Sequence, residues 1–81
     1  MEIDHGSPVT PYRQLAAHIR ARIDDGTYPE GRAIPSLTRL QQETGLAVTT
    51  IRRAINLLVE EGRVYTVPGR GVFVRSSKPR G

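Results

Sequence analysis

Residues 36–61 form the stretch SLTRLQQETGLAVTTIRRAINLLVEE, in which a glycine separates two segments that carry apolar residues at helical spacing. Its first part predicts a helix of barely two turns, because the Ser36 hydroxyl can cap free backbone N–H groups and Gly45 can end the helix. After a three-residue turn, a second apolar stripe recurs at helical spacing until Gly62: Val48, Ile51, Ala54, Ile55 and Leu58. Two helices joined by so short a turn predict a helix-turn-helix.

The sequence before this unit predicts one more helix. After Pro11, apolar residues recur at spacings of three and four, which indicates about four helical turns: Tyr12, Leu15, Ala16, Ile19 and Ile23. Gly26 opens a loop over 26–31. Residues 32–34 are too few to form more than an edge strand, because Pro35 ends any strand there.

The sequence after the unit predicts a β-hairpin. Two β-rich runs, 63–67 and 72–75, surround a Pro-Gly-Arg-Gly turn at 68–71. Three helices and a small antiparallel sheet with a hairpin wing make a winged helix-turn-helix, an α+β fold that is mainly α. We expect the helix of the second stripe to span 48–61 and the wing to span 67–71.

The chain is expected to hold one domain. A sequence of 81 residues buries too little surface for two cores, and 37% hydrophobic with 25% charged residues suits a compact domain better than a disordered chain. We expect an N-terminal arm at 1–9, the winged helix-turn-helix at 10–75, and a basic flexible tail at 76–81.

Several classes of chemistry find no support in the sequence. The absence of cysteine excludes disulfides, thiolate metal sites and cysteine nucleophiles. His5 and His18 have no metal-ligand spacing, and the acidic pairs at 24–25 and 60–61 are typical of solvated helix ends. We therefore expect no enzyme activity, cofactor or metal. With no apolar run near the roughly 18 residues of a membrane span and no signal-peptide pattern at the start, a cytoplasmic, nucleoid-associated protein is expected.

The charge is unevenly distributed along the chain. Residues 1–31 hold three basic and five acidic groups, a net −2, whereas residues 32–81 hold nine basic and three acidic groups, a net +6. Eleven of the twelve basic residues are arginine, whose planar fork suits phosphates and base edges. This distribution indicates a face for a polyanion, although an arginine-rich surface without any ligand remains the alternative.

The helix at 48–61 carries polar residues opposite its apolar stripe. Thr49, Arg52, Arg53 and Asn56 are spaced by three and four, so they share one surface, with Thr50 at its edge. In the major groove, arginine can donate two hydrogen bonds to guanine, asparagine can pair with adenine, and a threonine methyl can pack on thymine. A solvated polar face is the alternative, but the position in a helix-turn-helix favours base reading.

The hairpin turn carries a second signal. Gly69 and Gly71 flank Arg70, so the backbone can approach DNA closely while the guanidinium reaches into a narrow groove. An ordinary turn with an exposed arginine is the alternative.

From about Thr10 to Val74 the sequence resembles the winged helix-turn-helix DNA-binding domain of the GntR bacterial transcription regulators. The resemblance rests on motifs in order at fitting intervals: PYRQL at 11–15, GTYPEG at 26–31, IPS at 34–36, TTIRRA at 49–54, EG at 61–62 and PGRGVFV at 68–74. It implies operator binding, usually by a dimer on an inverted repeat. It also implies a larger effector-binding and dimerising region after the domain.

The sequence departs from this pattern in two respects. The chain stops seven residues after Val74, so it is either a truncated piece or a small whole protein. We expect a small whole protein, and in that case we expect no small-molecule effector. Where the family has a contacting arginine at the start of its second helix, this chain has Thr38, and Ala47-Val48 replaces a usual Ser-Arg pair. Base reading should then depend more on Arg52, Arg53 and the wing, with Arg39 as a substitute.

The sequence thus predicts a double-stranded DNA-binding transcription regulator, a repressor, that binds an inverted-repeat operator as a homodimer. The candidate DNA-binding residues are Ser36, Thr38, Arg39, Thr49, Thr50, Arg52, Arg53, Asn56, Gly69 and Arg70. The residues before Pro11 and an exposed Leu57 are candidate dimer contacts. The alternatives are a winged-helix adaptor that binds protein instead of DNA, and an architectural or recombination-directionality factor that bends DNA.

Overall fold

The computed structural model describes residues 1–75, and the predicted basic tail at 76–81 lies outside the described residues. The elements follow in the order α1 (Pro11–Asp24), α2 (Leu37–Thr44), α3 (Val48–Glu60), β1 (Val64–Val67) and β2 (Gly71–Val74). The predicted fold class is confirmed, since three helices precede a two-stranded antiparallel sheet. The third helix ends at Glu60, one residue before the predicted end, because Glu61 is already its C-cap.

The short α2 begins and ends as the sequence predicts. The Ser36 hydroxyl accepts a hydrogen bond from the backbone N–H of Arg39 at 3.2 Å. At the other end, Gly45 adopts the left-handed conformation with φ 72° and donates its N–H to the carbonyl of Gln41 at 2.7 Å. The chain then turns directly into α3, whose N-cap Ala47 has no hydroxyl to cap the helix. These two ends fix the angle at which α3 leaves the turn.

A single core joins all the elements. The largest fully buried side chains come from all three helices and both strands: Leu15, Ile19, Leu40, Ile51, Leu58, Val64 and Val74. Ala16 on α1 and Ala54 on α3 are also completely buried, and small side chains of this kind allow α1 to pack closely along α3. The apolar stripe of α3 therefore faces inward, which leaves its opposite face to solvent.

Strand β2 has a hydrogen-bonded neighbour on each of its edges. It pairs with β1 in the register Val64↔Val74 to Val67↔Gly71. On its other edge, Ala33 forms an isolated bridge to Phe73, the Ile34 N–H donates to the carbonyl of Val72 at 2.8 Å, and the Val74 N–H donates to the carbonyl of Arg32 at 2.9 Å. The segment that leads into α2 is therefore attached to the wing by backbone hydrogen bonds.

Two ion pairs connect α1 to the elements that follow α3. Arg20 makes a two-point contact with Glu61, with nitrogen-to-oxygen distances of 3.0 and 2.8 Å. Arg63 pairs with Asp24. Both pairs are partly exposed, so each contributes little to the free energy of unfolding. They lie toward the C-terminal ends of α1 and α3.

The first nine residues pack on α1. The Gln14 side-chain amide donates to the carbonyls of Asp4 and Val9, each at 2.7 Å, and its oxygen accepts from the Asp4 N–H at 2.7 Å. Met1 and Ile3 pack against the core. One sequence expectation needs correction: Leu57 packs half-buried against the core, so it is not the exposed leucine that the sequence suggested as a dimer contact.

Candidate nucleic-acid interface

The outer face of α3 is polar, as the sequence predicts. Thr49, Arg52, Arg53 and Asn56 are exposed, whereas the stripe that includes Ile51 is buried. Thr50 is half-buried at the edge of this face. The helix therefore presents guanidinium, amide and hydroxyl groups outward while its apolar side holds it in the core.

Six of the predicted site residues line one groove. We call it the wing groove; it lies between the start of α2, the outer face of α3 and the hairpin. The site residues that line it are Ser36, Thr38, Arg52, Asn56, Gly69 and Arg70. Ile55 and Val72 are among its apolar lining residues. Residues from positions 36 to 70 are thus brought to one surface by the packing of three elements.

The wing ends in a tight turn that sets Arg70 at the rim of this groove. The Arg70 N–H donates to the carbonyl of Val67 at 3.0 Å, and Gly69 has φ 76°. Proline followed by a glycine of positive φ is the pattern of a type II turn, in which a side chain at the glycine position would be strained. Nothing lies within 4 Å of where a Gly69 side chain would begin, so the backbone there is open to a ligand.

The charge of the wing groove is uncompensated. No acidic residue is among the described residues that line it. Within residues 1–75, neither Arg52 nor Arg70 forms an ion pair, in contrast to Arg20 and Arg63. Both guanidinium groups are therefore available to an anionic ligand.

Four predicted site residues lie outside this groove, and two of them, Arg39 and Thr49, line no groove within residues 1–75. Arg39 forms an ion pair with Glu43 one helical turn later, at 3.0 Å, although its side chain is 70% exposed. To contact DNA it would have to leave that carboxylate, which makes it a weaker candidate than Arg52. Thr49 is exposed on α3 but lines no groove described here.

The remaining two, Thr50 and Arg53, line a different groove. We call it the α1 groove; it lies between α3 and the segment that enters α1, and its walls include Pro8, Tyr12 and Arg13. The Arg53 guanidinium carbon lies 4.6 Å from the centre of the Tyr12 ring. Tyr12 belongs to the apolar stripe that the sequence predicts for this helix, and in the structure it is half-buried with Arg53 over its face.

Tyr12 also contacts the arginine beside it. The Arg13 Nε–H donates to the Tyr12 hydroxyl oxygen at 3.3 Å, and the Arg13 guanidinium carbon lies 5.9 Å from the ring centre. This hydrogen bond, together with the positive charges of Arg13 and Arg53, lowers the pKa of the Tyr12 phenol. Sequence reasoning did not single out Tyr12 and Arg13 as residues of this surface; the signal available was the PYRQL motif at 11–15, which contains both of them.

A family model of bacterial regulatory proteins, the gntR family, matches residues 11–74. The chain belongs to the gntR family. The match covers every helix and strand described above, and the predicted family is thereby confirmed. Within residues 1–75, no helix combines the length and apolarity that crossing a membrane requires.

Relatives of known role support the same gntR assignment. The transcriptional repressor NagR of Bacillus subtilis is 34% identical over 80 residues, which is 99% of this chain and 32% of NagR. The repressor MngR of a mannosyl-D-glycerate system in Escherichia coli is 36% identical over 67 residues, 83% of this chain and 28% of MngR. The chain thus spans about a third of the length of these gntR-type relatives.

A solved structure has the same fold. The DNA-binding domain of AraR, in a crystal structure with operator ORE1, superposes with a TM-score of 0.83 at 32% identity and covers 91% of this chain and 96% of the AraR chain. The predicted class of protein, a DNA-binding transcription regulator of the gntR family, is confirmed by these comparisons.

Proposed function

We propose that residues 10–75 bind operator DNA and that the protein represses transcription by occupying that site on the bacterial nucleoid. One observation carries the proposal: Arg52, Asn56 and Arg70 line a single groove that has no acidic residue among its described lining residues. A helix of about 10–12 Å diameter fits the major groove, which is about 12 Å wide. With α3 placed there, the wing lies beside the adjoining backbone.

Three exposed residues of α3 have the chemistry of base readers. Arg52 offers two parallel donors that match guanine, and Asn56, one turn further along α3, offers the donor and acceptor that match adenine. Thr49 can pack its methyl on thymine. These three residues are the base readers of the proposal.

The other residues of the proposal hold the backbone. Ser36 accepts its capping bond through the hydroxyl oxygen, so its hydroxyl proton is free to donate to a phosphate. Thr38 and Thr50 offer the same group, and Arg39 can do so if it leaves Glu43. Gly69 allows the wing backbone to approach, and Arg70 contacts the phosphate backbone or reaches into the minor groove.

We further propose that two copies bind together on an inverted repeat. One small DNA-binding domain buries too little surface for tight and selective binding, whereas two copies related by two-fold symmetry double the contacts. The relatives NagR and MngR are named as repressors, which supports a repressing role. Footprinting on a selected site should show two half-sites related by inversion; protection of one asymmetric half-site by a single chain would contradict the pairing.

Selection of bound sequences from a pool of random duplexes tests the function as a whole. The full chain should enrich a two-fold symmetric motif, and the Arg52→Ala chain should enrich a motif that is degenerate at one base pair per half-site. No enrichment by the unaltered, folded chain would favour a protein-binding adaptor. Enrichment accompanied by strong bending in a gel-phasing assay would favour an architectural factor.

A further inference from the structure

Arg53 lies on the flank of α3, away from Arg52. Successive residues of an α-helix are rotated by about 100°, so Arg52 and Arg53 cannot point in the same direction. Arg53 extends toward α1, where its guanidinium carbon lies 4.6 Å from the ring centre of Tyr12. A helix that fills the major groove presents its outer face to base edges and its flanks to the sugar-phosphate backbone.

Arg13 and Arg53 converge on one phenol. Arg13 donates to the Tyr12 oxygen at 3.3 Å, and Arg53 lies over the ring at 4.6 Å. Because the phenol oxygen is the acceptor in the first contact, its own proton remains available to a further acceptor. Three donor groups thus meet at the rim of the α1 groove, and the Thr50 side chain lines the same groove.

Nothing in residues 1–75 neutralises this pair of charges. Arg20, Arg39 and Arg63 each pair with a carboxylate, whereas Arg13 and Arg53 have no ion pair and no acidic residue is among the described lining residues of the α1 groove. The two guanidinium carbons lie 5.9 and 4.6 Å from the Tyr12 ring centre, so their like charges repel, and an anion bound to both would offset that repulsion. A phosphate oxygen accepts from guanidinium and hydroxyl donors in the same way.

We propose that Tyr12, Arg13 and Arg53 form a phosphate-binding cluster that grips the DNA backbone on the side of α3 opposite the wing. The proposal rests on the proposed DNA binding and gives Arg53 the role of backbone contact in place of base reader. In this arrangement the wing groove and the cluster hold the two backbones on either side of the major groove. The backbone contacts on the two flanks of α3 then determine which base pair Arg52 faces.

The test uses duplexes with single uncharged methylphosphonates, scanned along the selected site, and the chains Arg53→Gln, Tyr12→Phe and Arg20→Gln. The unaltered chain should lose affinity at several phosphates. Arg53→Gln should bind about tenfold more weakly on selected and scrambled duplexes alike, with the slope of log K against log salt reduced by about 0.9. It should also become insensitive to a methylphosphonate at one phosphate, and Tyr12→Phe should weaken the response at the same position.

Arg20→Gln is the matched control, since it removes one charge from α1 outside both grooves, and its methylphosphonate profile should match that of the unaltered chain. Thermal melting checks that each variant is folded. If Arg53→Gln relaxes preference at one base pair but keeps every methylphosphonate response, Arg53 reads a base and the cluster is wrong. If its affinity and profile are unchanged, the contact with Tyr12 only holds α1 to α3.

Inorganic phosphate separates a DNA phosphate from a free ion. If millimolar inorganic phosphate raises the melting temperature of the unaltered chain but not of Arg53→Gln, and the two methylphosphonate profiles agree, the cluster binds a free anion and the DNA contact is wrong. If the unaltered chain binds no duplex at all, the proposed function itself fails. If the unaltered chain binds DNA and Arg53→Gln gives the same methylphosphonate profile, the cluster is wrong but the proposed function stands.

Discussion

Arg52 and Arg53 are neighbours in the sequence but line different grooves, one facing the wing and the other facing α1. The separation follows from the helix that carries them, because Ile51 and Ala54 on either side are buried and fix its rotation. Two adjacent arginines therefore meet different parts of a DNA duplex, and their substitution should have different consequences.

Arg52→Ala should weaken binding to the selected operator by about 1–3 kcal/mol and relax the preference at one base pair. The side chain is exposed and has no ion pair in the described chain, so the melting temperature should hardly change. Binding isotherms on operators changed one base pair at a time measure the effect. A folded variant with unaltered affinity and preference would show that α3 is not the reader.

Leu58→Ala should act on folding instead. Leu58 is completely buried, and truncating it should cost about 2–5 kcal/mol of unfolding free energy, a large part of what a domain of this size has. Urea denaturation followed by circular dichroism measures the loss. Any loss of DNA binding should then be reversed at low temperature or with added osmolyte, because both favour the folded state. If the Leu58→Ala chain is as stable as the unaltered chain, Leu58 is not part of the core.

Arg70→Gln should reduce the salt dependence of DNA binding. If about five or six phosphates are contacted, log K should fall with log salt at a slope near −5, and loss of one contact should lower its magnitude by about one. Arg20→Gln serves as the comparison, because Arg20 pairs with Glu61 away from both grooves. Equal slopes for the Arg70 variant and the unaltered chain would show that Arg70 makes no phosphate contact and that the wing is not part of the interface.

Gly45→Ala should destabilise the helix-turn-helix by about 1–2 kcal/mol, since a residue with a side chain is strained at φ 72° even though no atom lies within 4 Å. Gly6→Ala is the control, because Gly6 is not among the glycines of positive φ and a side chain there meets only the Asp4 carboxylate at 3.5 Å. Urea midpoints of the two variants should therefore differ clearly; similar midpoints would contradict the left-handed turn.

Thr27→Val should raise the pKa of Asp25. The Thr27 hydroxyl and backbone N–H donate to the Asp25 carboxylate at 2.6 and 2.8 Å, and these bonds hold its pKa below the ordinary value of 3.8. A pKa that is lower in the folded state adds stability fully above 3.8, and that stability is lost as the pH falls through the folded-state pKa. The valine variant keeps only the backbone bond, so its carboxyl carbon should titrate at higher pH by NMR; an identical titration would exclude the hydroxyl contact.

The sequence was sufficient for the elements because their ends carry local signals. Ser36 caps α2 and Gly45 ends it, and both act within four residues of the position they determine. The polar face of α3 could likewise be predicted from spacing alone, since the apolar stripe defines which side is buried.

The division of the site into two grooves could not be predicted in this way. It depends on the contact between Tyr12 and Arg53, which are 41 positions apart and meet only because α1 packs along α3. Spacing on one helix places Arg52 and Arg53 on a common polar side but says nothing about which neighbour each one meets. Leu57 illustrates the same limit, because it packs half-buried against the core although it lies off the apolar stripe of α3.

The backbone bonds between residues 32–34 and β2 have a consequence for the thermodynamics of recognition. The Ile34 N–H and the Val72 carbonyl, 2.8 Å apart, tie the entry of α2 to the strand that carries the wing. The placement of the start of α2 relative to the backbone of the hairpin is therefore set when the chain folds, so the wing does not move independently of α2. Because of this preorganisation, the loss of conformational entropy occurs on folding and not on DNA binding. The rigid surface then distinguishes one duplex from another by how well the width and shape of its grooves fit.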